Sequence, residues 1–243
     1  MDEVQPLSRL AALEMSAALR GLGTNGTTME DIASRLIRVL YEDLRDVHGG
    51  GSICALVRLF KTIRYGDLPS TLQDFARQVV NQPNIAPETR CLTLLASAGD
   101  EPAWNSRHTS VGHQAIPLAS EEMVLQSPMI AQLMTQFGVD LRAILAPVSN
   151  VILAKETSTY NIFHVPDALH SPHVPVQDEF VVRYGIASVV GFGGPLTEGD
   201  LFAIILFSKT HLSVETASLF NSIALSAKLA LLAVTDKPIF TQE

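Results

Sequence analysis

The stretch Leu219–Val234 near the C-terminus most constrains the fold. It reads as a helix whose apolar residues (Leu219, Phe220, Ile223, Ala224, Leu225, Ala227, Leu229, Ala230) occupy much of the circumference. A helix that is apolar on more than one face has to be covered on more than one face. Asn221, Ser222, Ser226 and Lys228 interrupt it, so it is too short and too polar for a membrane span, which takes about 20 apolar residues. The whole helix is expected over 214–234, with Ser213 as its N-cap and Glu215 an acid in the first turn, favourable at the positive end of the helix dipole. A sheet can take one apolar face. The other falls to helix 29–47 of the same chain or to a symmetric second copy.

The remaining elements follow from periodicity. Residues 7–21 form an amphipathic helix stopped by Gly21 and Gly23, and Thr28 caps a second helix over about 29–47 that ends in His48-Gly49-Gly50-Gly51. Ile53–Phe60 and Arg90–Ala98 read as buried strands flanking a helical insert over 68–80, and a short strand is expected at 113–118. A helical region spans 120–137, and Leu141–Val148 fits no single period. Strands are expected at 159–165, 186–192 and 201–208, with a helix or turn at 177–184. The glycines of Gly191-Phe192-Gly193-Gly194, followed by Pro195, read as a tight hairpin connection rather than a phosphate loop, because no Lys-Ser/Thr follows and no helix starts there. Grouped strands with helices at both ends predict an α+β fold, an antiparallel sheet with the terminal helices packed together on one face.

Composition narrows the function. The 243 residues carry 17 Lys plus Arg against 25 Asp plus Glu, a formal net charge of -8. Nucleic acid and anionic membranes are bound through clustered cations, and the longest basic stretch, Arg58 to Arg64, spreads its charges among apolar residues. Neither partner is expected. Cys54 and Cys91 lie in apolar runs and read as buried free thiols; with an N-terminus lacking the signal-peptide pattern, they point to the cytoplasm.

Four pieces in order resemble one family. They are Ile162-Phe163-His164-Val165-Pro166-Asp167-Ala168, Tyr184-Gly185-Ile186-Ala187-Ser188-Val189-Val190, Gly199–Leu206 and Leu212–Lys228. Together they resemble a GAF domain, in particular the GAF-like sensory regions of bacterial two-component histidine kinases. The resemblance covers roughly 28–235, leaving 1–27 as a helical arm and 236–243 as a tail. It implies a GAF-like sheet with a loop- and helix-rich ligand side, a small-molecule ligand, a homodimer, and a histidine kinase or other signalling partner. No kinase, PAS, cyclase, phosphodiesterase or DNA-binding module is read in the 243 residues. The bilin-attaching Cys and the Asn-Lys-Phe-Asp-Glu signature of cyclic-nucleotide-binding members are also absent, so neither ligand is carried over.

The ligand-binding candidates fall into three groups. Trp104, Arg107, His108 and His113 lie in the central loop, where an indole can stack a flat molecule or simply close the core. Asp178, Glu179, Arg183 and Tyr184 adjoin the strongest family element; Arg183 can hold an anion, or pair with Glu179 at the surface. His164, together with His170 and His173, offers imidazoles to a metal or to haem, though at a spacing that does not share a helical face. The dimer-interface candidates are Leu10, Leu13 and Ala17 on the first helix and Leu219, Ile223, Ala227 and Ala230 on the last. No Gly-x-Ser-x-Gly elbow surrounds Ser106, Ser110 or Ser171, so no hydrolase, and no enzyme, is expected. The reading is a non-catalytic sensory domain. A haem- or metal-dependent sensor and a ligand-free dimerisation scaffold are the alternatives.

Overall fold

The computed structural model describes residues 7–45, 51–81, 83–110, 112–137 and 162–241. In chain order the elements are α1 (Arg9–Leu22), α2 (Met29–Asp43), β1 (Cys54–Arg64), α3 (Ser70–Val80), β2 (Arg90–Gly99) and β3 (Ala115–Pro117). Then come α4 (Glu121–Leu125), α5 (Pro128–Gln136), β4 (Phe163–Val165), a π-helical turn (Gln177–Val182), β5 (Ser188–Pro195), β6 (Leu201–Ser208), α6 (Val214–Ser218) and α7 (Phe220–Leu232). The strands form one antiparallel sheet in the order β3-β2-β1-β6-β5-β4, so the class is α+β. The segment 141–148, residues 159–161 of the expected strand and the glycines at 49–50 lie outside the described residues.

Alternation along the strands divides the chain into two apolar layers. In β6, Phe202, Ile204 and Leu206 face one layer, while Leu201, Ile205 and Phe207 face the other. Two bulges shift that parity. Ala55 of β1 is skipped in the pairing with β6, so Ala55 and Leu56 both turn to the second layer. Leu95 of β2 is skipped in the pairing with β1, and Leu95 and Ala96 both turn to the first.

Helices α1, α2 and α7 make the first layer. Phe220, Ile223, Ala224, Ala227, Ala230 and Leu231 of α7 are all buried. The face left over by the sheet is covered within the chain, mainly by α1, which runs parallel to α7. Ser16 Oγ donates to Ser222 Oγ at 3.2 Å, and a Cβ on Gly23 would come within 2.8 Å of Ala233 Cβ and 2.9 Å of the Ala230 carbonyl. Close approach therefore explains that glycine. It also corrects the interface expected from sequence: Ile223, Ala227 and Ala230 are enclosed by their own chain, while Leu10, Leu13 and Ala17 of α1 stay exposed and Leu219 is half-buried. The helix expected as an arm belongs to the core through Met15 and Leu19.

The tail is also tied down. The first two N–H groups of α2 donate to it, Met29 N to the Pro238 carbonyl (3.0 Å) and Glu30 N to the Ile239 carbonyl (2.8 Å), and the third, Asp31 N, donates to the Thr28 hydroxyl (3.1 Å). The first two donors, which helices usually leave to water, are thus satisfied by residues about 200 positions away, and the third by the local cap.

Two local expectations needed correction. Gly191, Gly193 and Gly194 lie inside β5 rather than in a turn. A Cβ at Gly191 would press on Leu133 and Phe163, and one at Gly193 would strike the Phe202 carbonyl, so these glycines admit neighbours close to the strand. The single helix expected over 214–234 is two, parted at Leu219, where the hydroxyls of Ser218 and Ser222 donate back to the Glu215 and Leu219 carbonyls. Cys54 and Cys91 are free and buried, and burial pushes both thiols up to about 12. No helix among the described residues is long and apolar enough to cross a membrane.

Candidate functional site

Among the described residues the second layer does not close fully. Beneath the sheet lies a cavity of about 390 Å³, within the range that holds small ligands. Its roof is the sheet (Leu56, Arg58 and Phe60 of β1, Leu92, Ile116, Ile205, Phe207), and one wall is the start of α5 with Ser127, Met129, Ile130 and Leu133. The opposite wall is Pro172, Pro175, Val176 and Phe180, and Trp104 and His113 complete the rim.

The local backbone around this space is unusual. Val176, which precedes the π-helical turn, has φ 59 and ψ 57, and His113 has φ 57. A β-branched residue in the left-handed region is strained, and such strain persists where the surrounding structure enforces it. Here a π-helical turn, itself an uncommon element that recurs at functional sites, carries Phe180 onto the cavity. Phe180 meets Phe207 edge-on at 4.9 Å and Trp104 at 5.8 Å, and Tyr184 packs on the outer side of Trp104 at 4.6 Å.

Arg58 is the charge in this apolar lining. Its Nη2 donates to the Ser110 hydroxyl at 2.7 Å, while its Nε is buried with no acceptor. Among the described residues, no lining side chain is Asp or Glu and no ion pair reaches Arg58. Burial pulls its pKa down to about 10, which leaves it a cation at neutral pH. His113 is exposed at the rim, and the partial desolvation of its ring, with Arg58 nearby as a smaller cause, holds it below its ordinary value.

Of the residues expected from sequence, Trp104 and His113 line this cavity. Arg107 and His108 turn toward the helical layer instead: Arg107 forms an ion pair with Glu30 and lies 4.9 Å over the Phe240 ring, and His108 Nε2 is 3.7 Å from the same carboxylate. Asp178, Glu179 and Arg183 are exposed on the π-helical turn and just after it, with the Arg183 guanidinium over the Tyr184 ring at 5.2 Å. His164 Nε2 is 2.9 Å from the Leu212 carbonyl, the His170 backbone N–H donates to Gln177 Oε1, and the His173 ring meets Phe163 edge-on at 6.3 Å. Of the three imidazoles only the His164 ring is held by a hydrogen bond, His173 Nδ1 is buried with no partner, and no cluster of three metal-binding side chains occurs among the described residues.

Arg58 was missed in the sequence because it was read only as part of a diffuse basic stretch. The signal was its setting, a single charge inside the otherwise apolar run Ile53–Phe60, where charged residues are rare unless paired.

Against known proteins, no family model and no curated protein matches the chain. Solved structures similar in fold include the GAF domain from a phosphoenolpyruvate-protein phosphotransferase of Coxiella burnetii, with TM-score 0.49 and 11% identity over 92% of this chain and 95% of that one. Another is the phycoerythrobilin-bound GAF domain from a cyanobacterial phytochrome, with TM-score 0.41 and 11% identity over 94% of this chain and 95% of that one. At 11% identity neither likeness transfers a ligand.

The histidines make a pH prediction. Burial lowers His164 as well, with the bond to the Leu212 carbonyl opposing it. Unfolded, each imidazole takes its proton near pH 6.5; folded, it does so at lower pH. Between those points the unfolded chain binds more protons, so the stability from the neutral rings is complete above pH 6.5 and is lost as pH falls through the folded values. The melting temperature is expected to drop from pH 7 to pH 5, with a shallower drop in the His113→Gln/His164→Gln double variant. Equal slopes would show that other groups dominate.

Proposed function

We propose that the chain is a non-catalytic, GAF-like sensory domain that binds a small molecule in the cavity under its sheet and reports occupancy through its terminal helices in a homodimer. The observation that carries this reading is the cavity of about 390 Å³, apolar except for a few converging polar groups. A path to the ends of the chain supports the reporting role. The segment that gives Trp104 and His113 to the cavity also gives Arg107 to Glu30 and Phe240, and Glu30 Oε2 accepts from Thr241 N at 2.9 Å. A ligand shifts such a system only by its differential affinity for the two arrangements.

Leu10, Leu13 and Ala17 fall at i, i+3 and i+7 on the outer face of α1, with Leu10 66% and Leu13 60% exposed, and Leu225 and Leu229 of α7 are exposed as well. That stripe suits a symmetric helical contact with a second copy. In this reading the paired helices hand the change to a histidine kinase or other signalling partner.

Trp104 is the chain's single tryptophan, so its fluorescence reports on the cavity directly. Titration with a panel of small acids, amides, nucleosides and amino acids is expected to give at least one saturable emission change with a matching rise in melting temperature. Sedimentation velocity is expected to find a dimer at tens of micromolar. Silence across the panel would overturn ligand sensing, and a monomer would overturn the dimer.

A further inference from the structure

The lining also specifies the charge of the molecule. We infer that the cavity takes a singly charged amphiphilic carboxylate, its carboxylate on Arg58 and its apolar body between Trp104, Phe180 and Phe207. The inference rests on the cavity being a ligand site and adds the chemical class of the ligand.

Four observations converge on it. Arg58 is half-buried with its Nε enclosed, and a guanidinium partly withdrawn from water with no counter-ion among the described residues gains from an anion delivered to it. The Ser110 hydroxyl, its one acceptor, is neutral, and Nε has none. A guanidinium offers paired donors that match the planar carboxylate. The first residues of α5, Ser127 to Ile130, line the same cavity, so the positive end of that helix adds to the favourable potential.

The same lining excludes other classes. With no Asp or Glu among the described lining residues, an ammonium finds no partner there, which argues against amines and zwitterionic amino acids. One guanidinium, with no glycine-rich cradle of N–H groups among the described lining residues, is too little for a phosphate dianion. The rest of the lining, Leu56, Phe60, Leu92, Ile116, Met129 and Ile205 among them, asks for hydrocarbon or an aromatic ring.

The test holds the skeleton fixed and changes the charge. The full chain is titrated with 3-phenylpropionate, 3-phenylpropionamide and 3-phenylpropylamine, and with octanoate and octanamide, by calorimetry and Trp104 fluorescence. Each acid is expected to bind about tenfold or more tightly than its amide, the advantage of a charge-assisted over a neutral hydrogen bond, and the amine is expected not to bind. Arg58→Gln should bring the acid to the level of the amide and leave the amide unchanged. The acid-to-amide ratio in the unaltered chain decides the matter even where Arg58→Gln fails to fold. Amides binding as well as acids, or an acid preference that survives Arg58→Gln, would overturn the carboxylate and leave the cavity standing as a ligand site. No binding by any of the five would overturn both.

Discussion

Replacing Glu30 with alanine is expected to lower the stability of the chain by about 3–5 kcal/mol, the usual result of removing one partner from a buried ion pair. The reason lies in what the carboxylate serves. Arg107 reaches it with Nε and Nη2, its side chain is 8% exposed, and Thr241 N donates to Oε2. Without Glu30 the guanidinium stays buried beside the Phe240 ring, with no anionic partner among the described residues. Urea unfolding followed by far-UV circular dichroism measures the loss. Hydrogen exchange at Thr241 adds a readout that mere destabilisation would not single out, since that amide should lose protection before the α2 interior does. A loss under about 1 kcal/mol would show that water reaches Arg107 and that the pair is a surface pair in energetic terms.

The second large effect is in the helical layer. Phe192 of β5 is fully buried and lies 5.7 Å from Phe220 of α7, ring to ring, at an interplanar angle of 32°. Phe192→Ala is expected to cost about 3–5 kcal/mol through lost transfer energy and the void left behind. Phe220→Ala should cost a similar amount. The double variant should fall short of the sum by about 0.5–1.5 kcal/mol, the part of the energy that belongs to the ring pair. Chemical denaturation of the four proteins closes the cycle. Strict additivity would mean that the rings contribute burial and nothing from their mutual orientation.

The elements that were legible in the sequence are those whose own residues decide them. The run Leu201–Ser208 reads as a buried strand, and Ser213 with Glu215 announces a helix start; the structure has β6 and α6 there. The α+β class followed from the order of such elements. What could not be read locally depends on partners distant in the chain. The glycines of β5 look like a turn until Phe163, Leu133 and Phe202 are brought against them. Ile223, Ala227 and Ala230 look like an interface until α1 is laid beside them. The candidate site shows the same limit. Trp104 and His113 stood out by residue type, but the side to which Arg58 projects is set by strand pairing, including the bulge at Ala55, and a continuous apolar run has no period from which to read it. Phe180 was overlooked beside the charged Asp178, Glu179 and Arg183, yet the π-helical turn sends the ring inward while those three remain exposed.

The capping of α2 by the tail has a mechanical consequence. Tension applied beyond Thr241 would first reach a clasp, the Thr241–Glu30 contact and the two amide bonds to Pro238 and Ile239, before it reached α7. These bonds lie one after another along the tail, so a pull would peel them in turn rather than load them together. The end of the chain thereby behaves as a fuse. It gives way before α7 does and frees the first turn of α2, and the loss of Thr241 and Phe240 from Glu30 and Arg107 is felt by the segment that gives Trp104 and His113 to the cavity.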